Sequence, residues 1–305
     1  MLLTLEKFGE EFVKRRQEAG KCLAQTTTGF FIGAGLEYGF SPDWDELVRD
    51  LLRECEVVLP PENLSNPEKA RYAKSSNESN YKSVILRHFR RWSPLTQQIT
   101  QLMPRLNIHS IVTTNYSNDL YQSLETKNFT KVILPNLYAV EANNPKRIFH
   151  IHGYLDEDSP EDFNIVLSED EYELNYGHAG IVKHFLVSYF QQINIIFIGF
   201  SFRDPYVVSV LTEISDLERR QAISKGHPFK PPQRFALMGL KIEDHQEKGK
   251  ILDFSYVQEI EDKLNGLNII PIWYDSDRNH QHLYKIVKSW IISSGETEGV
   301  SEGVI

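Results

Sequence analysis

The chain has 305 residues, 41% hydrophobic and 11% aromatic, and at this length a fold buries roughly three-quarters of the surface its unfolded form exposes. Bulky side chains at that density exclude disorder for the bulk of the sequence. With 33 basic against 42 acidic residues, the net charge of −9 argues against a broad basic face for nucleic acid. The longest apolar stretch, residues 193–198, is far shorter than the roughly 20 residues of a membrane span, so no membrane association is expected.

In chain order, Glu6, Glu10 and Glu11 interrupt what would be the apolar core of a signal peptide. Leu5, Phe8 and Phe12, one helical turn apart, predict a surface helix instead. Cys22 and Cys55, the only cysteines, form neither a CxxC pair nor a four-thiolate set, and a reducing cytoplasm is the expected location. Short β-rich runs at 29–32, 108–114, 131–134, 147–152, 193–200, 235–240 and 268–273 are mostly apolar on both faces, as strands of a covered parallel sheet must be. Helical stripes lie between them, at Trp44, Leu47, Val48, Leu51, Leu52 and Cys55, then across 182–190, 207–214 and 283–291. Ser41 before Pro42 and Asp204 before Pro205 read as caps ahead of a first helical residue, and Ser168 with Glu171 as a capping box. The alternation predicts an α/β fold with a doubly wound parallel, Rossmann-like sheet. Residues 57–100 read as a mostly helical insertion within a single domain over 1–292, and residues 293–305 as a flexible tail.

Four strand exits carry polar chemistry. Gly33-Ala34-Gly35 follows the first strand, an arrangement that lets backbone N–H groups approach a pyrophosphate. Tyr38 stands where the dinucleotide fingerprint has its third glycine, and a tight turn without a ligand explains the same residues. Thr113-Thr114-Asn115 ends the second strand; Asn115 offers a donor and an acceptor to a water or a ribose hydroxyl, or simply caps the next helix. His150 and His152 share one face of the predicted 147–152 strand, with His152 nearer its carboxyl end. A third metal ligand is not evident there, and a satisfied structural histidine is the plainer alternative. Gly199-Phe200-Ser201 leads into the helix at Pro205, with Ser201 placed for a phosphate or ribose, or for loop hydrogen bonds alone.

Taken together, these blocks resemble the sirtuin-like (silent information regulator) fold in its bacterial NAD-cleaving branch. Gly33-Ala34-Gly35 is similar to that family's first glycine motif, Pro42-Asp43-Trp44 to its Pro-Asp-Phe loop, and Thr113-Thr114-Asn115-Tyr116 to its Thr-Gln-Asn segment. His152-Gly153 resembles its catalytic His-Gly and Gly199-Phe200-Ser201 its late Gly-x-Ser. Residues 165–168 with Tyr172 resemble a stretch common in the bacterial branch. The chain departs from the family at Leu36, where a Ser is usual, and at Ser117, where an Asp is usual and Asp119 is the nearest substitute. It also lacks the four-cysteine zinc ribbon of protein-deacetylating sirtuins. The resemblance implies an NAD glycohydrolase yielding nicotinamide and ADP-ribose, with NAD as substrate and no metal. Asn115 and His152 are then catalytic, and Gly33, Ala34, Gly35, Asp43, Thr113, Gly199 and Ser201 hold the dinucleotide. The alternatives are a sensor that binds NAD or ADP-ribose without turnover, and an ADP-ribosyltransferase or deacylase. The resemblance further implies an effector that depletes NAD in antiphage defence, gated by homo-oligomer contacts or by a HerA-type ATPase partner, which rather than this chain would meet nucleic acid.

Overall fold

The computed structural model describes residues 5–37, 42–58, 63–89, 93–138, 146–155, 164–223, 230–240, 254–276 and 280–293. Its centre is a seven-stranded sheet in the order β3-β4-β2-β1-β7-β8-β9. The strands are β1 (Thr28–Ile32), β2 (Ile108–Thr113), β3 (Phe129–Ile133), β4 (Lys146–His150), β7 (Asn194–Ile198), β8 (Arg234–Leu240) and β9 (Ile270–Asp275). Every pairing in this sheet is parallel. β5 (Gly153–Tyr154) and β6 (Asn164–Ile165) form a separate antiparallel pair.

Alternate residues of the strands face opposite layers, as the two-residue side-chain period requires. Phe30 and Ile32 enter a core with α1 (Leu5–Gln25), α5 (Pro94–Leu102), α6 (Asp119–Leu124) and α11 (Gln281–Ser293). Phe31 enters the other core, with α7 (Glu169–Tyr176), α8 (Ile181–Gln192), α9 (Pro205–Ile223) and α10 (Phe254–Gly266). Both faces are covered, which is why the strand sequences read as continuous apolar runs. Chain order reverses at β1: β2, β4 and β3 build outward on one side, β7, β8 and β9 on the other. In doubly wound sheets ligands bind outside the carboxyl ends of the strands at such a switch point.

The segment between β1 and β2 is helical. α2 (Trp44–Glu54), α3 (Asn66–Ser76) and α4 (Glu78–His88) share a small core built on Leu47, Leu51, Ala70, Ala73, Tyr81 and Ile85. That core is closed by Tyr116, Leu155, Ile165 and Leu167 from the strand exits. α5, by contrast, packs into the main core through Ile99 and Leu102.

Three local expectations change. The cap of α2 is Asp43, whose Oδ1 accepts from Glu46 N at 2.7 Å; Ser41 lies outside the described residues. α1 lies at the surface as expected, but Phe12 of its stripe turns inward: it is buried with Leu240, Val257 and Trp273, and Trp290 Nε1 donates to Arg16 O at 3.1 Å. The third change is that β4 ends at His150 rather than running to residue 152. Gly153, at φ +85°, turns the chain there into β5, a conformation only glycine adopts without strain. Cys22 and Cys55 are both buried and free, and burial pushes both thiols up. The tail beyond Ser293 lies outside the described residues.

Candidate functional site

At the switch point the exits of β1 and β7 lock together. Gly33 N donates to Ile198 O at 3.0 Å and Gly35 N to Gly199 O at 2.8 Å. A Cβ on Gly33 would meet Gly199 O at 2.6 Å, and one on Gly199 would meet Leu36 N at 2.7 Å; Gly199 also stands at φ +65°. These glycines therefore permit backbone-to-backbone contact between two strand exits. Of the three amides expected to face a pyrophosphate, those of Gly33 and Gly35 are thus hydrogen-bonded within the protein. The short 3₁₀ turn Ala34–Glu37 is pinned further by α5, since Ser93 Oγ and Thr96 Oγ1 both donate to Leu36 O, at 2.7 and 3.2 Å.

The exit of β2 brings Asn115 against this turn. Asn115 N donates to Thr113 Oγ1 at 3.1 Å, and Asn115 Nδ2 reaches Gly33 O at 3.3 Å and Glu37 Oε1 at 2.9 Å. Ser117 Oγ donates to the same Glu37 oxygen at 2.5 Å. All four side chains, Thr113, Asn115, Ser117 and Glu37, are buried. Asn115 Oδ1 is buried without a hydrogen-bond partner.

The two histidines separate beyond β4. His150 is fully buried, its ring edge-on to Tyr154 and its Nδ1 3.4 Å from Asn115 O. His152 sits in a box of tyrosines, with Nε2 2.7 Å from Tyr176 Oη and 3.7 Å from Asp204 Oδ2. Tyr172 donates to Asp204 Oδ2 at 3.3 Å and stacks on Tyr206 with centroids 4.2 Å apart. Asp204 caps α9 through Oδ1, which accepts from Tyr206 N and Val207 N at 2.9 and 3.1 Å. Burial lowers the pKa of His152, an effect the Asp204 charge opposes, while burial and that charge hold the phenols of Tyr172 and Tyr176 far up and protonated. The helix bearing both tyrosines starts with the Ser168–Glu171 capping box. α3 ties it down through Lys74–Glu171 at 2.8 Å and Arg71–Glu169 at 2.5 Å.

The expected site residues thus divide. Gly33, Ala34, Gly35, Thr113, Asn115 and Gly199 lie at the three strand exits around the switch point, with His152 beyond the end of β4. Asp43 is exposed and engaged as a helix cap, and Ser201 is exposed after β7. Asp119 opens α6. Glu37, Tyr176 and the second face of Asp204 escaped the sequence reading. Among the described residues no group of three or more His, Cys, Asp or Glu side chains is placed to hold a metal ion. Nor is any described helix long and apolar enough to cross a membrane.

His150 makes the fold acid-sensitive. Burial pushes its imidazole down to about 4, so between the ordinary value near ~6.5 and that point the unfolded chain takes up the proton first. Stability is expected to be full above pH ~6.5 and to fall by on the order of 3 kcal/mol as pH drops toward 4. Urea midpoints across that range measure it. His150→Gln should flatten the slope, and a slope left unchanged would assign the acid sensitivity to another group.

Fold and site together define a Rossmann-like α/β protein whose buried polar cluster lies at the carboxyl edge of the sheet. Residues 109–253 match the family model described as a SIR2-like domain. Over 225 residues the chain is 27% identical to the NAD(+) hydrolase ThsA of Bacillus cereus (strain MSX-D12), an alignment covering 71% of this chain and 44% of that protein. The chain thus spans less than half the length of this curated relative. A solved structure described as "Structural Basis for the Mechanism and Regulation of Sir2 Enzymes" aligns over 92% of this chain and 97% of its own, at 9% identity and a TM-score of 0.42.

Proposed function

We propose that this protein hydrolyses NAD to nicotinamide and ADP-ribose at the carboxyl edge of the sheet, with Asn115 and His152 as the catalytic residues. The observation that carries the reading is the convergence of the β1, β2 and β7 exits on a buried carboxamide acceptor, in a chain similar to an NAD(+) hydrolase. The bond between ribose C1′ and the cationic ring nitrogen breaks with nicotinamide leaving neutral, so no general acid is needed. A water oxygen bonds to C1′, and its proton passes to His152. Asn115 Oδ1 accepts from that water or from a ribose hydroxyl. Because burial lowers the pKa of His152, the base stays unprotonated, and turnover is retained, to a lower pH than the usual ~6.5 would allow.

Incubating the protein with NAD and no acceptor, both alone and mixed with the HerA-type ATPase, tests this by chromatography. Nicotinamide and ADP-ribose in equal amounts are expected. Nicotinamide release only with an added acetyl-lysine or protein acceptor would make the protein a deacylase or transferase. One observation favours a second reading, an NAD or ADP-ribose sensor: Tyr176 Oη occupies the space at His152 Nε2 that an incoming water needs. Recovery of bound, intact NAD would select it.

Our reading extends to an antiphage effector in the cytoplasm, restrained until a homo-oligomer or a HerA-type ATPase assembles on it. The candidate contact surfaces are the striped helix α1 (Leu5, Phe8, Phe12) and the helix around Arg87, Arg90 and Arg91; the burial of Phe12 favours the second, α4, where Arg87 is exposed and 3.6 Å from Glu54, while Arg90 and Arg91 lie outside the described residues. Light scattering of the chain alone and mixed with the ATPase, alongside turnover, is the test. A monomer fully active alone and unchanged by the ATPase would end the gating idea and leave the chemistry standing.

A further inference from the structure

Glu37 is a carboxyl group almost wholly inside the protein, 1% exposed. Burial of such a group demands hydrogen-bond donors, and two come from the exit of β2: Asn115 Nδ2 at 2.9 Å and Ser117 Oγ at 2.5 Å, both to Oε1. The turn that carries Glu37 is fixed on both sides, by Gly35 N on Gly199 O and by Ser93 and Thr96 on Leu36 O. The carboxyl group is therefore held in place before any ligand arrives.

We infer that Glu37 is the positioning residue that sets which way the Asn115 amide faces. An Asn side chain has a donor end and an acceptor end that differ little in shape. Glu37 Oε1, which accepts from Ser117 Oγ, also accepts from Nδ2, and Gly33 O, a backbone carbonyl that can only accept, selects the same end. Oδ1 is left as the buried, unpartnered atom. The site thus presents an acceptor to a water or ribose hydroxyl, never a donor. This deepens the NAD-cleaving reading and rests on it for its kinetic consequence, though the orientation itself does not need turnover.

Glu37→Gln is the diagnostic change, because it keeps shape and volume while adding a donor that can pair with Oδ1 and release the amide to flip. Nicotinamide release is expected to fall about 10–100-fold in kcat, as for a general loss of preorganised hydrogen bonding, with KM changed by less than about threefold. If Glu37 works through Asn115, the loss is not additive: Glu37→Gln with Asn115→Ala should be no slower than Asn115→Ala alone. Losses that multiply, or an unaffected Glu37→Gln enzyme, would overturn the inference. Ser117→Ala, which removes the second donor and leaves Glu37 intact, enters the same cycle with a smaller non-additive loss and covers a Glu37→Gln protein that does not fold. The side-chain amide ¹⁵N resonance of Asn115, identified by its disappearance in Asn115→Ala, gives a readout without catalysis. Wild-type protein that releases no nicotinamide, either alone or mixed with the ATPase, refutes the NAD-cleaving reading, and the resonance then decides the orientation. A shift in Glu37→Gln supports it, and an unmoved resonance overturns it.

Discussion

Replacing His152 by alanine is expected to lower nicotinamide release by about 10²–10⁴-fold, the range for a positioned general base, or roughly 3–5 kcal/mol of barrier. The side chain is 3% exposed and packs edge-on to Tyr172 and Tyr176, so its loss also leaves a void and lowers the thermal midpoint. Tyr172, Tyr176 and Tyr206 still pack on one another, which keeps the fold. His150→Ala makes the contrast. Its ring lies behind Asn115, against that residue's carbonyl, and its removal should act through stability, leaving turnover per folded molecule within about tenfold, well short of the loss of a general base. Rates normalised to folded protein by circular dichroism separate the two. Near-normal turnover in His152→Ala with loss in His150→Ala would move the base to His150.

The largest expected effect on stability lies far from the site. Arg234, at the start of β8, has a side chain with no exposure. Its guanidinium forks onto Glu218 of α9 at 2.6 and 3.0 Å and reaches Phe190 O at 2.9 Å. Asn268 Nδ2 adds a bond to Glu218 at 2.8 Å. Glu218→Ala strands that charge in the interior, at a cost of about 3–5 kcal/mol, a large share of the ~5–15 kcal/mol that holds a domain folded. A urea midpoint that falls with an unchanged slope is the expected signature. Replacing both partners by apolar residues, Glu218→Leu with Arg234→Met, should recover most of the loss, because neither charge is then buried alone. A Glu218→Ala protein within about 1 kcal/mol of wild type, as if this were a surface pair, would contradict the account.

The sheet was readable in the sequence because strands covered on both faces cannot hide: the runs at 193–200 and 235–240 contain β7 and most of β8. The same logic fails for β5 and β6, two residues each, which carry no periodicity at all. α10 was missed as well; its stripe is only Val257, Ile260 and Leu264, with polar, mostly charged residues filling the positions between. At the site, residues with one sufficient local explanation concealed a second role. Asp204 read as a helix cap, which it is, yet its other oxygen faces Tyr172 and His152. Tyr172 drew notice only through the resemblance, and Tyr176, four residues on along α7, drew none. Glu37 was not singled out, since nothing local reveals that Asn115 and Ser117 close over it from a strand far along the chain. The histidine pair is separated because β4 ends at His150 and the chain turns at residues 151–152, which residue spacing does not encode.

The position of β1 has a consequence for how the protein is made. Its register begins at Thr28, paired to residue 108 on one side but only to residue 194 on the other. At a synthesis rate of ~5–20 residues per second, the second partner emerges roughly 8–30 s after β1 itself, whereas collapse of a chain takes ~10–100 μs. From the emergence of residue 150 until that of residue 194, roughly 2–9 s at the same rate, β1, β2, β4 and β3 can assemble alone, and the backbone groups of residues 28–32 that later meet β7 form an open border with Phe30, Phe31 and Ile32 along it. Such a border invites pairing with other nascent chains. The central strand of the finished sheet spends much of its synthesis as an edge, and any factor that shields the ribosome-bound chain has its main work there.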